Sequence, residues 1–124
     1  MSIERIIVVD DDLNMTKLLN VMLKSDYEVD VAHSVEAALQ NFKTQDYDAV
    51  IVDLNIPPES GFELIEKVRE DASKKWLPII VLSGKEKSED RIKSLELGAD
   101  DYLTKPFNPS ELKLRLSLHL KKYQ

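Results

Sequence analysis

Four short apolar runs each stop at a polar or charged residue, and this arrangement constrains the fold more than any other feature of the chain. Ile6-Ile7-Val8-Val9 runs into Asp10 and Asp11, and Val50-Ile51-Val52 runs into Asp53. Ile79-Ile80-Val81-Leu82 stops at Ser83, and Tyr102-Leu103-Thr104 stops at Lys105-Pro106. Short β-branched runs of this kind read as strands buried on both faces. Polar groups at their C-terminal ends converge on the crevice where open α/β sheets bind ligands. Three carboxylates, a hydroxyl and an ammonium gathered there can hold a divalent cation and receive a phosphoryl group.

Strand-like and helix-like segments alternate five times, which favours a parallel sheet with helices on both faces. Strands are expected near residues 5–10, 27–32, 48–53, 78–83 and 101–104. Met15, Leu18, Leu19, Met22 and Leu23 carry the spacing of an amphipathic helix. Val35, Ala38, Leu39 and Phe42 repeat it behind Ser34, a candidate N-cap. Gly61, Leu64, Ile65 and Val68 mark a third helix, and a fourth spans about Ser88 to Leu97, with Gly98 able to take the left-handed position after it. Residues 112–120 alternate leucine with polar residues, which is the period of a strand. Asn108-Pro109-Ser110-Glu111 nevertheless resembles a helix start, leucine favours helix, and no β-branched residue appears. A helix there has two apolar faces: Leu112, Leu116 and Leu120 for the sheet, Leu114 and Leu118 for something else.

At 124 residues the chain fits one domain, 1–124, able to bury a core. There is no apolar run of about 18 residues and no signal-peptide pattern, so neither a membrane span nor export is expected. The absence of cysteine excludes thiolate metal sites and suits a cytoplasmic location. A net charge of −6 argues against direct contact with nucleic acid, which needs clustered Lys and Arg.

Asp10, Asp11 and Asp53 would lie close together, and like charges about 4 Å apart repel by roughly 4 kcal/mol at an effective dielectric of about 20. Such a cluster calls for a counter-charge, and an all-oxygen set selects Mg2+, with Mn2+ as a substitute. Lys105 would add positive charge, Ser83 a hydroxyl donor, and Asp53 the nucleophile of an acyl phosphate. Singly, each residue has a plainer role. Asp12 and Asp48 read as caps of following helices, a lone Ser as a turn, a lone Lys-Pro as a loop. The specific signal is their joint order at the ends of successive strands.

Val8-Val9-Asp10-Asp11-Asp12, Val52-Asp53-Leu54-Asn55-Ile56-Pro57 with Gly61, Val81-Leu82-Ser83-Gly84, and Gly98 through Phe107 resemble the receiver domains of two-component response regulators over essentially the whole chain. The order of the charges resembles receivers of winged-helix transcription regulators. The resemblance implies the flavodoxin-like fold, an α/β doubly wound five-stranded parallel sheet of order 2-1-3-4-5, an arrangement documented for a chemotaxis receiver. It implies phosphoryl transfer to Asp53 from a sensor histidine kinase or a phosphotransfer protein, without turnover of a diffusible substrate. Asp11, Asp53 and the Asn55 carbonyl match the family's metal ligands, and Asp10 the acid holding metal-bound water. Ser83 and Lys105 match the phosphoryl-binding pair and Tyr102 the switch aromatic. The resemblance also implies a cis Lys105-Pro106 bond. Asn55 and Lys85 stand where side chains can tune dephosphorylation. Ser83, Gly84 and Asn14 replace the commoner Thr, Ala and Pro, and none of these changes removes a reacting group.

A haloacid-dehalogenase-like phosphatase has its nucleophile after the first strand and its Lys before the last acids, the reverse of the order here. A flavin carrier needs a phosphate loop where this chain has acids. A pseudo-receiver acting only by docking would have no use for an intact acceptor. Arg91, Lys93, Glu96, Asp100, Asp101, Glu111, Arg115 and Lys122 crowd the fourth helix, fifth strand and fifth helix. That face is expected to form a phosphorylation-dependent homodimer, with Leu114 and Leu118 at its dry centre. The chain ends soon after the fifth helix, as expected of a stand-alone receiver or of part of a longer regulator or hybrid kinase.

Overall fold

Runs of β-branched residues leave no strand face for water, so both sides of each central strand must meet apolar partners. The computed structural model, which describes residues 3–84 and 88–121, satisfies this with two core clusters separated by one sheet. The sheet contains β1 (Arg5–Val9), β2 (Glu28–Ala32), β3 (Ala49–Val52), β6 (Ile79–Ser83) and β7 (Asp101–Thr104), all parallel, in the order β2-β1-β3-β6-β7. Between β3 and β6 lies a two-stranded ribbon, β4 (Asn55–Ile56) paired antiparallel with β5 (Glu59–Ser60). With the ribbon set aside, the order is the expected 2-1-3-4-5.

Successive strand residues point to opposite faces. Ile7, Val9, Val50, Val52, Ile79 and Val81 therefore pack under α2 (Val35–Thr44) and α3 (Gly61–Glu70). Their neighbours Ile6, Val8, Ala49, Ile51, Ile80 and Leu82 pack under α1 (Leu13–Leu23) and α5 (Pro109–Lys121). α4 (Ser88–Leu97) leans on α3 and β7. The segment with strand-like alternation is helical: Leu112, Leu116 and Leu120 are buried, while Leu114 and Leu118 are 59% and 53% exposed. Asn108 caps it, its side-chain oxygen accepting the Ser110 and Glu111 N–H groups.

Two expectations need correction. Leu18 is exposed, and Thr16 takes the buried place, its hydroxyl donating to the Leu13 carbonyl. Leu18 sits one residue, about 100°, from the centre of the buried face at Leu19, too far round to reach the sheet. Asp12 and Ser34 cap α1 and α2, but Asp48 caps nothing. It precedes β3, and its carboxylate accepts the Arg5 N–H at the sheet margin.

Two glycines are required by geometry. Gly98 adopts φ +116°, and an added Cβ there would strike the Arg69 side chain. Arg69 donates to the Gly98 carbonyl and to Asp100, tying α3 to the α4–β7 turn. A Cβ on Gly61 would overlap the Asp53 carbonyl oxygen and lie 2.8 Å from Leu54 Cα, so α3 starts hard against the strand end. Main chain cannot yield there without displacing Asp53. Gly61→Ala is therefore expected to cost about 1–3 kcal/mol in urea unfolding, the range for forced overpacking. An unchanged unfolding free energy would contradict the close approach.

Candidate phosphoryl-acceptor and cation site

Each acidic member of the site stands where a strand has just released its backbone. Asp10 follows β1 and keeps one ladder bond, its N–H donating to the Ala32 carbonyl. Asp53 follows β3, its N–H donating to the Val9 carbonyl, so β1 aligns the acid beyond β3. Lys105 follows β7 and donates its N–H to the Ser83 carbonyl at the end of β6. The parallel register thus sets all of these side chains at one end of the sheet.

The Lys105 ammonium bridges the two buried acids, 2.8 Å from Asp10 Oδ2 and 3.0 Å from Asp53 Oδ2. Asp10 and Asp53 are 3% and 8% exposed. Asp10 Oδ1 also accepts the Asp12 N–H, and Asp53 Oδ1 the Asn55 N–H. Burial works against the charge on Lys105, yet the hydrogen bonds and charges of Asp10 and Asp53 outweigh it and raise its pKa above the ordinary lysine value. One ammonium does not neutralise three carboxylates. Ligand oxygens of Asp10, Asp11 and Asp53 lie within 4.8 Å of one another, and Asp11 is exposed at the mouth. This all-oxygen set fits a hard divalent cation such as Mg2+, with the solvent side open to a phosphoryl oxygen.

Ser83 is buried at the end of β6 and shares a side-chain hydrogen bond with Tyr102. Burial is the main cause raising the Tyr102 pKa, with that bond opposing it. The Arg91 guanidinium lies over the Tyr102 ring, 5.7 Å from its centroid. Asn55 is exposed at the start of β4, beside Asp53. Lys85 and Lys122 lie outside the described residues. Lys105-Pro106 is cis, as the resemblance implied, and so is Pro57-Pro58.

The charges expected on the face of α4, β7 and α5 are only partly displayed. Arg91, Lys93, Glu96 and Glu111 are exposed. Asp100 turns to Arg69, 3.0 Å away, and also accepts the Ile79 N–H. Lys93 sits over the Phe62 ring of α3. Arg115 donates to both oxygens of Asp101, at 2.9 and 3.2 Å. Ile92 and Leu95 of α4 are exposed, as are Leu114 and Leu118 of α5. His119 was not singled out from sequence, though its Nε2 lies 3.0 Å from Asp101. Its position four residues after Arg115 was the available signal.

The sequence model of the family described as response regulator receiver domain matches residues 6–117. The regulatory protein VanR of Enterococcus faecium is 36% identical over 122 residues, 98% of this chain and 52% of that protein. The cell cycle response regulator CtrA of Brucella ovis is 38% identical over 113 residues, 90% of this chain and 48% of that protein. The chain spans about half the length of these curated relatives. A CheY-like response regulator receiver domain protein from Methanospirillum hungatei aligns with a TM-score of 0.91 at 29% identity, covering 98% of this chain and 96% of that one.

If Asp11 completes the cation site, Asp11→Ala should weaken Mn2+ binding, followed by water proton relaxation, by about tenfold or more, since even supporting residues of metal sites contribute that much. Equal affinity in the variant would remove Asp11 from the ligand set.

Proposed function

The chain belongs to the response regulator receiver domain family of two-component signalling, and on that premise we propose that it accepts a phosphoryl group on Asp53 and switches conformation to control an output. The observation that carries this reading is the buried Asp53 carboxylate held beside Asp10 by Lys105, with the exposed Asp11 at the mouth. The donor is a phosphohistidine of a sensor kinase or phosphotransfer protein. An Asp53 oxygen forms the new P–O bond as the P–N bond breaks, and the departing electron pair stays on the imidazole nitrogen, which is then protonated.

Phosphoryl transfer depends on positioning and charge neutralisation more than on covalent chemistry. Mg2+, held by Asp11, Asp53 and the Asn55 carbonyl with Asp10 on its water, would supply the positive charge that Lys105 alone cannot. Lys105 keeps one phosphoryl oxygen paired after transfer, and Ser83 donates its hydroxyl to another. That new bond competes with the Ser83–Tyr102 contact, so Tyr102, and Arg91 stacked on it, respond to phosphorylation. Asn55 and Lys85 flank the approach of hydrolytic water and set the lifetime of the acyl phosphate. Hydrolysis is slow and no diffusible substrate is turned over.

The output side of the same reading is a phosphorylation-dependent homodimer through α4, β7 and α5. Its support is the exposure of Ile92 and Leu95 on α4 and of Leu114 and Leu118 on α5, where Glu111 and the half-exposed Arg115 also lie. Exposed ion pairs contribute only about 0–1 kcal/mol each, so the leucines must supply the affinity and the charges the register.

Asp53→Asn should abolish labelling by acetyl phosphate with Mg2+. Intact-mass detection of one base-labile phosphate on that variant would overturn the acceptor assignment. For the dimer, Arg115→Glu and Glu111→Arg should each weaken self-association of beryllofluoride-treated protein, and the double exchange should partly restore it, because twofold contacts are reciprocal. Sedimentation as a monomer at about 100 µM, well above the usual range for a specific dimer, would count against the face.

A further inference from the structure

Asp101 lies at the beginning of β7, inside a cavity of about 350 Å3 that is also lined by Glu111, Leu114, Arg115, Leu118 and His119. Its carboxylate is shared by two side chains one helical turn apart on α5. Arg115 Nη1 donates to both oxygens, and His119 Nε2 lies 3.0 Å from Oδ2. Oδ1 takes the Tyr102 N–H as well. The Asp101 and His119 side chains are 14% and 15% exposed, whereas that of Arg115 is 42% exposed. The imidazole is thus the shielded partner and the guanidinium the one that reaches solvent.

Charge on this cavity changes sign balance with one proton. From β7 the facing group is Asp101, and from α5 they are Glu111 and Arg115. No described residue of α4 lines it, and the α4 cations Arg91 and Lys93 lie over the Tyr102 and Phe62 rings. With His119 neutral, Asp101, Glu111 and Arg115 leave one surplus negative charge per copy. Among the described residues Arg115 is then the sole cation on Asp101, and it is held to its own chain. With His119 protonated, Asp101 has a second cation, the cavity is neutral, and Arg115 can turn its exposed edge to a carboxylate of another copy. Histidine is the side chain whose ordinary titration falls in the physiological range.

We propose that His119, through Asp101, is a proton-controlled latch on Arg115 that makes pairing of this face with a second copy of the chain pH-dependent. The proposal rests on the dimer reading above and adds its regulation. A twofold axis sets the same surface against itself, so the surplus negative charge repels its own image when His119 is neutral, and that repulsion vanishes on protonation. By linkage, an association favoured by protonation takes up protons, at most one per His119.

The test is the dimer dissociation constant of the chain with Mg2+ and beryllofluoride, by sedimentation at about pH 6 and about pH 8, on either side of the ordinary histidine titration. Wild type should dimerise about tenfold more tightly at the lower pH, which asks for less than the full uptake of two protons. His119→Gln, which keeps a hydrogen-bond donor of similar reach, should lose most of that dependence, while His33→Gln should retain it. His119→Lys, with its charge fixed, should dimerise at the higher pH about as tightly as wild type does at the lower. Comparison of variants at each pH cancels any pH dependence of the beryllofluoride probe. A wild-type constant independent of pH, or an unchanged dependence in His119→Gln, overturns the latch and leaves the dimer face standing. A monomer at both pH values overturns the two together.

Discussion

Lys105 holds the molecule's functional end together by occupying the gap between two buried carboxylates. Asp10 and Asp53 are both almost inaccessible, and carboxylates so placed repel strongly where water does not screen them. The ammonium reduces that repulsion with short contacts to each. The raised lysine pKa is the same fact seen from the other partner. A group shifted this way contributes stability below its ordinary titration and loses it as pH rises through the folded value, so the arrangement is intact at neutral pH. With Asp11 at the mouth, three carboxylates outnumber the one ammonium, a surplus that a hard divalent cation fits.

The main chain of the sheet sets where the Asp10, Asp53 and Lys105 side chains start. The ladder carries Asp53 on β1 and Lys105 on β6 through the N–H bonds just past each strand. Gly61 lets α3 start directly over the Asp53 carbonyl, and the Arg69 bonds to Gly98 and Asp100 hold the far end of α3 to the turn before β7. α3 is therefore fixed at both ends, once near Asp53 and once near the strand that carries Tyr102.

A short path leads from Ser83 at the strand ends to the face of α4, β7 and α5. Ser83 is hydrogen-bonded to Tyr102, Tyr102 is stacked under Arg91 of α4, and the Tyr102 N–H is held by Asp101, which in turn holds Arg115 and His119 of α5. Burial works to raise the Asp101 pKa, but the bonds from His119, the Tyr102 N–H and Arg115 outweigh it and keep the carboxyl below its ordinary range. Two elements of the face, β7 and α5, thus meet at one carboxylate, one residue before Tyr102.

The residues that the structure gathers at the strand ends were legible in sequence because each is announced locally, by an apolar run that stops. The five longer strands fell within a residue or two of their expected limits, and the fold class followed from the alternation of periods. The β4–β5 ribbon, with two residues on each side, is too short to carry a period. Leu18 was misread because leucine at helical spacing reports a stripe but not its centre, and Asp48 because a strand start and a helix start invite the same residue. By itself, the sequence determined which groups end which strands. Only the tertiary structure decided which carboxylates Lys105 bridges, across separations of 95 and 52 residues, and that Asp101 is shared by Arg115 and His119. Such pairings depend on strand order and register, which bring together atoms that no local pattern relates.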